Sequence, residues 1–160
     1  MMTIRWWTIV SVILATSGEA AVEKLPLPRF ASLRSNKVNS HVGPGNNYPI
    51  EWTFVRQWMP VEIIAEFDTW RQIRDCQGTQ VWVHKSLLSG RRHVVIQEKR
   101  RKLLKKPQKD ASVVAYLEPG VIGKLTECQK NWCYIQVNGY SGWMPRKFMW
   151  GVYPHEAKFK

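Results

Sequence analysis

Apolar and polar residues alternate in short runs along this chain, and turn-forming residues bound the runs. Phe30 to Arg34, Val38 to Val42, Trp52 to Arg56, Val61 to Phe67, Trp70 to Arg74 and Val81 to Val83 each read as a strand, and Trp52 to Arg56 and Val61 to Phe67 are rich in β-branched and aromatic side chains. Gly43-Pro44-Gly45-Asn46-Asn47, Asp68-Thr69 and Gln77-Gly78-Thr79 separate them, each with its own turn geometry. A second series follows: Lys102 to Lys105, Ser112 to Leu117, Ile122 to Cys128, Trp132 to Val137 and Gly142 to Met144. No segment keeps helical apolar spacing over about twelve residues. Ser86-Leu87-Leu88 reads as a single 3₁₀ turn. Short strands at regular spacing predict an all-β chain of small barrels.

The two series are copies of one plan. Trp70-Arg71-Gln72-Ile73, Gly78 and Trp82-Val83 return as Trp132-Cys133-Tyr134-Ile135, Gly139 and Trp143-Met144. The first Trp recurs after 62 residues, the Gly and the second Trp after 61. One residue is therefore lost between the first Trp and the Gly. A loop absorbs such a loss, whereas a strand would turn its side chains to the wrong face. The expected organisation is a leader at 1–20, a first domain at 28–90, a basic linker at 91–101 and a second domain at 102–154.

Met1 to Arg5, the apolar run Trp6 to Ala15 and Gly18-Glu19-Ala20 look like a secretory signal, cleaved after Ala20. The run is shorter than the roughly 20 residues that span a bilayer. The expected location is periplasmic or secreted. Cysteine usage fits an oxidising compartment: Cys128 and Cys133 enclose Gln129 to Trp132, and a hairpin there places them opposite each other, within disulfide reach. Cys76 is left over.

Charge is uneven. The chain carries a net +12, and residues 91–109 hold nine Lys and Arg against Glu98 alone. Arg91, Arg92, Arg100, Arg101, Lys102, Lys105 and Lys106 form the centre of this run. It reads either as a solvated linker and guarded strand edge or as a patch for an anionic surface. Nucleic acid is disfavoured by export and by the lack of a helix-turn-helix, zinc-finger or aromatic-basic RNA motif.

Catalytic chemistry is hard to assemble. The four His (His41, His84, His93 and His155) have no metal-ligand spacing, and no cofactor motif is visible. Cys76 and His84 lie eight residues apart across a turn, but Cys76 is not followed by the helix that usually activates a thiolate. The expectation is a non-enzyme without cofactor or metal.

Val38-Asn39 before Gly43-Pro44-Gly45, Tyr48-Pro49, Trp70 to Ile73, Gly78 to Val83 and Ser86-Leu87-Leu88 resemble the bacterial SH3-like (SH3b) domain. Leu117-Glu118-Pro119-Gly120, Glu127-Cys128, Trp132-Cys133 and Gly142-Trp143 carry the resemblance in the second copy. The whole arrangement is similar to exported proteobacterial proteins with tandem SH3-like domains. The resemblance implies two five-stranded barrels that bind a cell-wall peptide or an envelope protein. It also makes the long hairpin one wall of a peptide groove. The family commonly has Asn-x-Arg where this chain has Asn39-Ser40-His41.

Trp70, Trp82, Trp132 and Trp143 occupy equivalent places and are expected to fill the barrels. Tyr48, Trp52 and Trp58 belong to the first copy alone. With Arg34 or Arg56 beside them they form the expected ligand platform, against the competing reading of core or inter-repeat packing. Because the second copy lacks the Gly-Pro-Gly turn, the first is the expected site.

Overall fold

The computed structural model describes residues 25–157, so the expected signal segment lies outside the described residues. Two antiparallel sheets follow one another. The first contains β1 (Arg29–Leu33), β2 (Val38–His41), β3 (Ile50–Phe54), β4 (Pro60–Phe67), β5 (Trp70–Arg74), β6 (Gln80–His84) and β7 (Leu88–Ser89), with a 3₁₀ turn at Lys85–Leu87. The second contains β8 (His93–Ile96), β9 (Arg101–Leu104), β10 (Val113–Leu117), β11 (Ile122–Gln129), β12 (Trp132–Val137), β13 (Tyr140–Pro145) and β14 (Met149–Trp150), with a 3₁₀ turn at Arg146–Phe148. Strand orders are β3-β2-β6-β5-β4-β1-β7 and β10-β9-β13-β12-β11-β8-β14, one topology used twice. Each sheet has seven strands where five were expected, because the long hairpins β2–β3 and β9–β10 each add two.

The expected linker at 91–101 needs correction. All four residues of β8 inside it are buried, and β8 pairs with β11 and β14. Arg and Lys on both sides hide a Val94-Val95-Ile96 run that is the second barrel's equivalent of β1. The second barrel thus begins near His93, and almost no free chain separates it from Ser89.

The missing residue falls in a loop. In the first copy Arg74 pairs with Gln80. Between them Asp75 Oδ1 accepts the backbone N–H groups of Gln77 and Thr79, each at 2.9 Å. In the second copy the ladder runs one pair further, to Val137 opposite Tyr140. That leaves a two-residue Asn138-Gly139 turn with φ of 47° and 85°. Two successive residues with positive φ make the tight hairpin turn that Asn-Gly favours.

Each sheet closes over its own core. Leu33, Val38, Phe54, Val61, Ile63, Ile73, Val81 and Val83 fill the first. Ile96, Leu103, Leu117, Leu125, Ile135 and Met144 fill the second, with the Cys128–Cys133 disulfide, whose residues pair across β11 and β12 as expected. The copies exchange volume between neighbours. Ser40 and Val81 of the first correspond to Leu103 and Gly142 of the second. A Cβ on Gly142 would lie 2.9 Å from Leu103 Cγ, so Leu103 fills the space that Val81 fills in the first barrel.

The barrels are packed against each other. Phe30 of β1 meets Trp150 edge-on at 4.9 Å and Tyr153 at 4.6 Å. Tyr153 Oη donates to Glu62 Oε1 at 2.5 Å, and Glu62 is ion-paired with Arg74. The chain after β14 works as a strap: Arg92 holds the Glu156 carboxylate, and Tyr153 N–H donates to the same group at 2.7 Å. Burial alone would raise the Glu156 carboxyl, but the Arg92 bonds, the Tyr153 N–H and the nearby charges outweigh it and hold the carboxyl below its usual value. Burial, then the Glu62 hydrogen bond, push the Tyr153 phenol far above its usual value.

Candidate functional site

A groove of 780 Å³ opens on the second barrel. Trp132, at the start of β12, forms part of its floor, and the 3₁₀ turn supplies Arg146, Lys147 and Phe148. Lys109 reaches it from the β9–β10 hairpin, and Val152 and Pro154 come from the strap. A smaller hollow of 340 Å³, lined by Pro107, Gln129, Lys130, Asn131 and Trp132, continues it past the indole.

Arg146 builds the wall. Its guanidinium donates to the backbone carbonyls of Tyr153, Lys130 (2.9 Å) and Glu156 (2.8 Å). The Arg146 N–H donates to Asn131 O at 2.8 Å. One side chain thereby ties the 3₁₀ turn, the β11–β12 turn and the strap together. Phe148 carries cations: Arg101 Cζ lies 3.7 Å from its ring centroid and Lys147 Nζ 5.1 Å. The groove therefore joins aromatic and proline surface to a positive rim. That combination suits an extended peptide bearing carboxylates, since apolar rings provide area and cations fix the charged ends.

The equivalent place on the first barrel is closed. Trp70 is buried, and the rings of His41 and His84 meet it edge-on at 5.1 and 5.7 Å. His41 also contacts Tyr48 O through Nδ1 at 2.7 Å, and His84 contacts Ser86 Oγ at 2.7 Å. In the second barrel Leu104 and Pro145 stand in those two positions, and Trp132 is only half-buried.

The expected platform residues are dispersed. Tyr48 folds back over its own turn, where a Cβ on Gly43 would lie 2.4 Å from its ring. Trp52 is exposed on edge strand β3. Arg34 is exposed, and its carbonyl accepts from the Gln57 side chain at 2.8 Å. Trp58 and Arg56 instead face the second barrel. Trp58 stacks on His93 at 5.0 Å, and Arg56 donates to Gly120 O at 2.7 Å.

The basic run is also divided. Arg91 lies over Trp58, Arg92 over Phe30, Arg100 over Tyr116 and Arg101 over Phe148. Arg100 pairs with Glu118 at 3.2 Å as well. Lys102, Lys105 and Lys106 remain exposed on and beside β9. Arg92 and Arg101 are half-buried against their rings, whereas Arg91, Arg100 and the three lysines stay exposed. Sequence reasoning missed Arg146, Lys147, Phe148 and Lys109 as groove residues. Their available signal was the replacement of His84-Lys85-Ser86-Leu87 by Pro145-Arg146-Lys147-Phe148.

Cys76 is half-buried, and its thiol is pushed up by burial and by the Asp75 carboxylate, so it stays protonated at neutral pH. Among the described residues no group of three or more His, Cys, Asp or Glu is arranged to hold a metal.

No curated protein matches the chain significantly. Among solved structures, NlpC2 of Trichomonas vaginalis matches at TM-score 0.35 and 13% identity, over 79% of this chain and 49% of that one. NlpC1 of the same organism matches at TM-score 0.34 and 13% identity, over 88% and 50%. The chain thus spans about half the length of these two structures. The family model described as bacterial SH3 domain matches twice, at residues 34–90 and 97–151, and the chain belongs to that family.

Proposed function

We propose that this protein is an exported, non-catalytic binding protein of the cell envelope, and that its second barrel takes an acidic peptide. The wall's stem peptides are the leading ligand class. The observation that carries this reading is the open Trp132 groove, with Phe148 and the prolines as apolar surface and Lys109 and Lys147 on the rim. The protonated Cys76 thiol supports a binding role over thiol catalysis.

Retention on purified cell wall at low and high salt tests it. The protein is retained at low salt, and Trp132→Ala lowers retention at least about tenfold with the fold intact, consistent with losing an aromatic anchor. No retention at low salt removes the wall from the reading.

A protein partner in the envelope is the second reading. Its support is the apolar edge of the first barrel, where Tyr48, Ile50 and Trp52 are all exposed. Crosslinking in intact cells separates the two, since the adducts are glycan-linked peptide in one case and protein in the other.

A further inference from the structure

The seam between the barrels holds a second, differently built cavity. A cleft of 620 Å³ is lined by Trp58, Arg91, Arg92, His93, Lys124 and Thr126 among others. An adjoining hollow of 490 Å³ shares Trp58, His93 and Lys124 and adds Arg56 and Gln136. Neither is lined by any Asp or Glu. We propose that this seam binds a phosphoryl dianion, carried by a phosphate monoester.

Three segments converge on it. Trp58 comes from the loop between β3 and β4, Arg91 from the chain entering β8, and Lys124 from β11. Lys124 and His93 are direct cross-strand partners, so their side chains share one face. Arg91 Cζ lies 5.5 Å from the Trp58 ring centroid, and that ring stacks on His93. Among the described residues neither Arg91 nor Lys124 has a carboxylate partner. Two cations held near one imidazole without a counter-charge repel one another, and a bound anion removes that cost. A phosphate monoester carries close to two charges at neutral pH, enough to neutralise Arg91 and Lys124 together. A carboxylate carries one. The planar fork of Arg91 also matches phosphate oxygens in pairs.

His93 is set up to respond. The Ser32 hydroxyl donates to Arg91 O at 2.7 Å and lies 3.0 Å from His93 Nδ1. With its one proton spent on Arg91 O, Ser32 accepts from His93, which places the proton on Nδ1 and leaves Nε2 to titrate. Burial lowers the imidazole below its usual value, and Lys124 and Arg91 push the same way against the hydrogen bond to Arg91 O. A bound dianion reverses the charge contribution. Trp58 adopts φ of 64°, in the left-handed region, and its N–H is fixed on Leu33 O at 2.8 Å. Such strain collects at functional positions.

Glycerol 3-phosphate titrated into the full chain at low salt, followed by NMR of the His93 imidazole and the Trp58 indole, is the test. Saturable shifts of both groups and a rise in the His93 pKa are expected. The double variant Arg91→Ala/Lys124→Ala lowers affinity at least tenfold; both side chains are exposed, so the barrels persist. Trp132→Ala leaves this affinity unchanged, which keeps the outcome separate from that of the groove. Vesicles containing phosphatidic acid identify the source. Co-sedimentation that the double variant abolishes assigns a lipid headgroup, and glycerol 3-phosphate binding without co-sedimentation assigns a soluble ester. The proposal is overturned if no saturable His93 shift occurs, if the double variant binds within twofold of the wild type, or if acetate binds equally well.

Discussion

The two barrels share one topology and one pattern of tryptophans, yet they treat their first tryptophan in opposite ways. Trp70 is buried between the His41 and His84 rings, whereas Trp132 stands half-open between Leu104 and Pro145. The strands that deliver the two indoles are equivalent: Trp70 pairs with His84 and Trp132 with Pro145. What differs is two neighbours and the three residues of the 3₁₀ turn. A fold that keeps its frame can therefore turn a packing residue into groove surface by changing its lid. Repetition of a residue does not show that its role repeats.

The largest expected effect comes from treating the two indoles alike. Trp70→Ala removes a buried aromatic and is expected to destabilise the first barrel by about 3–5 kcal/mol, read by chemical denaturation. Trp132→Ala costs much less stability and takes the ligand binding instead. Equal stability losses would erase the distinction drawn between the barrels.

A smaller contrast lies at the hairpin tips. Cys128 and Cys133 occupy the positions held by Glu66 and Arg71 in the first barrel. There Arg71 Nε meets Glu66 at 2.9 Å, and Arg29 joins the same carboxylate. One copy clamps its hairpin covalently and the other with an ion pair. Reduction of the disulfide should lower the second barrel's stability by about 2 kcal/mol, the value for closing a very short loop. Raised salt should weaken the first hairpin only, because it screens ion pairs. Hydrogen exchange at the two turns reads both effects.

The smallest expected effect concerns the seam, and its sign follows from two groups. His93 has a lowered pKa in the fold, so its contribution is present above the ordinary value near 6.5 and is lost as pH falls through the folded value. Glu156 is also lowered, so the strap's contribution is present above the ordinary carboxylate value and is lost as pH falls through the folded one. Acidification should therefore loosen the seam in two steps, His93 first and Glu156 second. Trp58 fluorescence against pH follows the first step, and the Arg92→Met variant should remove most of the second.

Much of the frame was legible before any coordinates. Alternation placed the strands, the 62- and 61-residue spacings exposed the repeat, and a six-residue segment ending in cysteines at both sides revealed the disulfide. The β8 strand is hidden because its three apolar residues, Val94 to Ile96, sit among arginines and lysines that give the segment the composition of a linker. The site was less legible. Uniqueness to the first copy drew attention to Tyr48, Trp52 and Trp58, but turn geometry keeps Tyr48 on its own glycines, and chain reversal sends Trp58 to the seam. The groove depends on Arg146 gathering three carbonyls from distant segments, and a contact of that kind leaves no local pattern in a sequence. The strap after β14 has no strand or turn pattern to announce it, although Tyr153 reaches Glu62 of the first barrel and Arg92 holds Glu156.

The two indoles can be compared within one molecule. A soluble wall stem peptide is titrated into the wild-type chain while the indole N–H signals of Trp70 and Trp132 are followed by NMR. A saturable shift of Trp132 with Trp70 unmoved is expected. A shift of Trp70, or of both indoles equally, would contradict it.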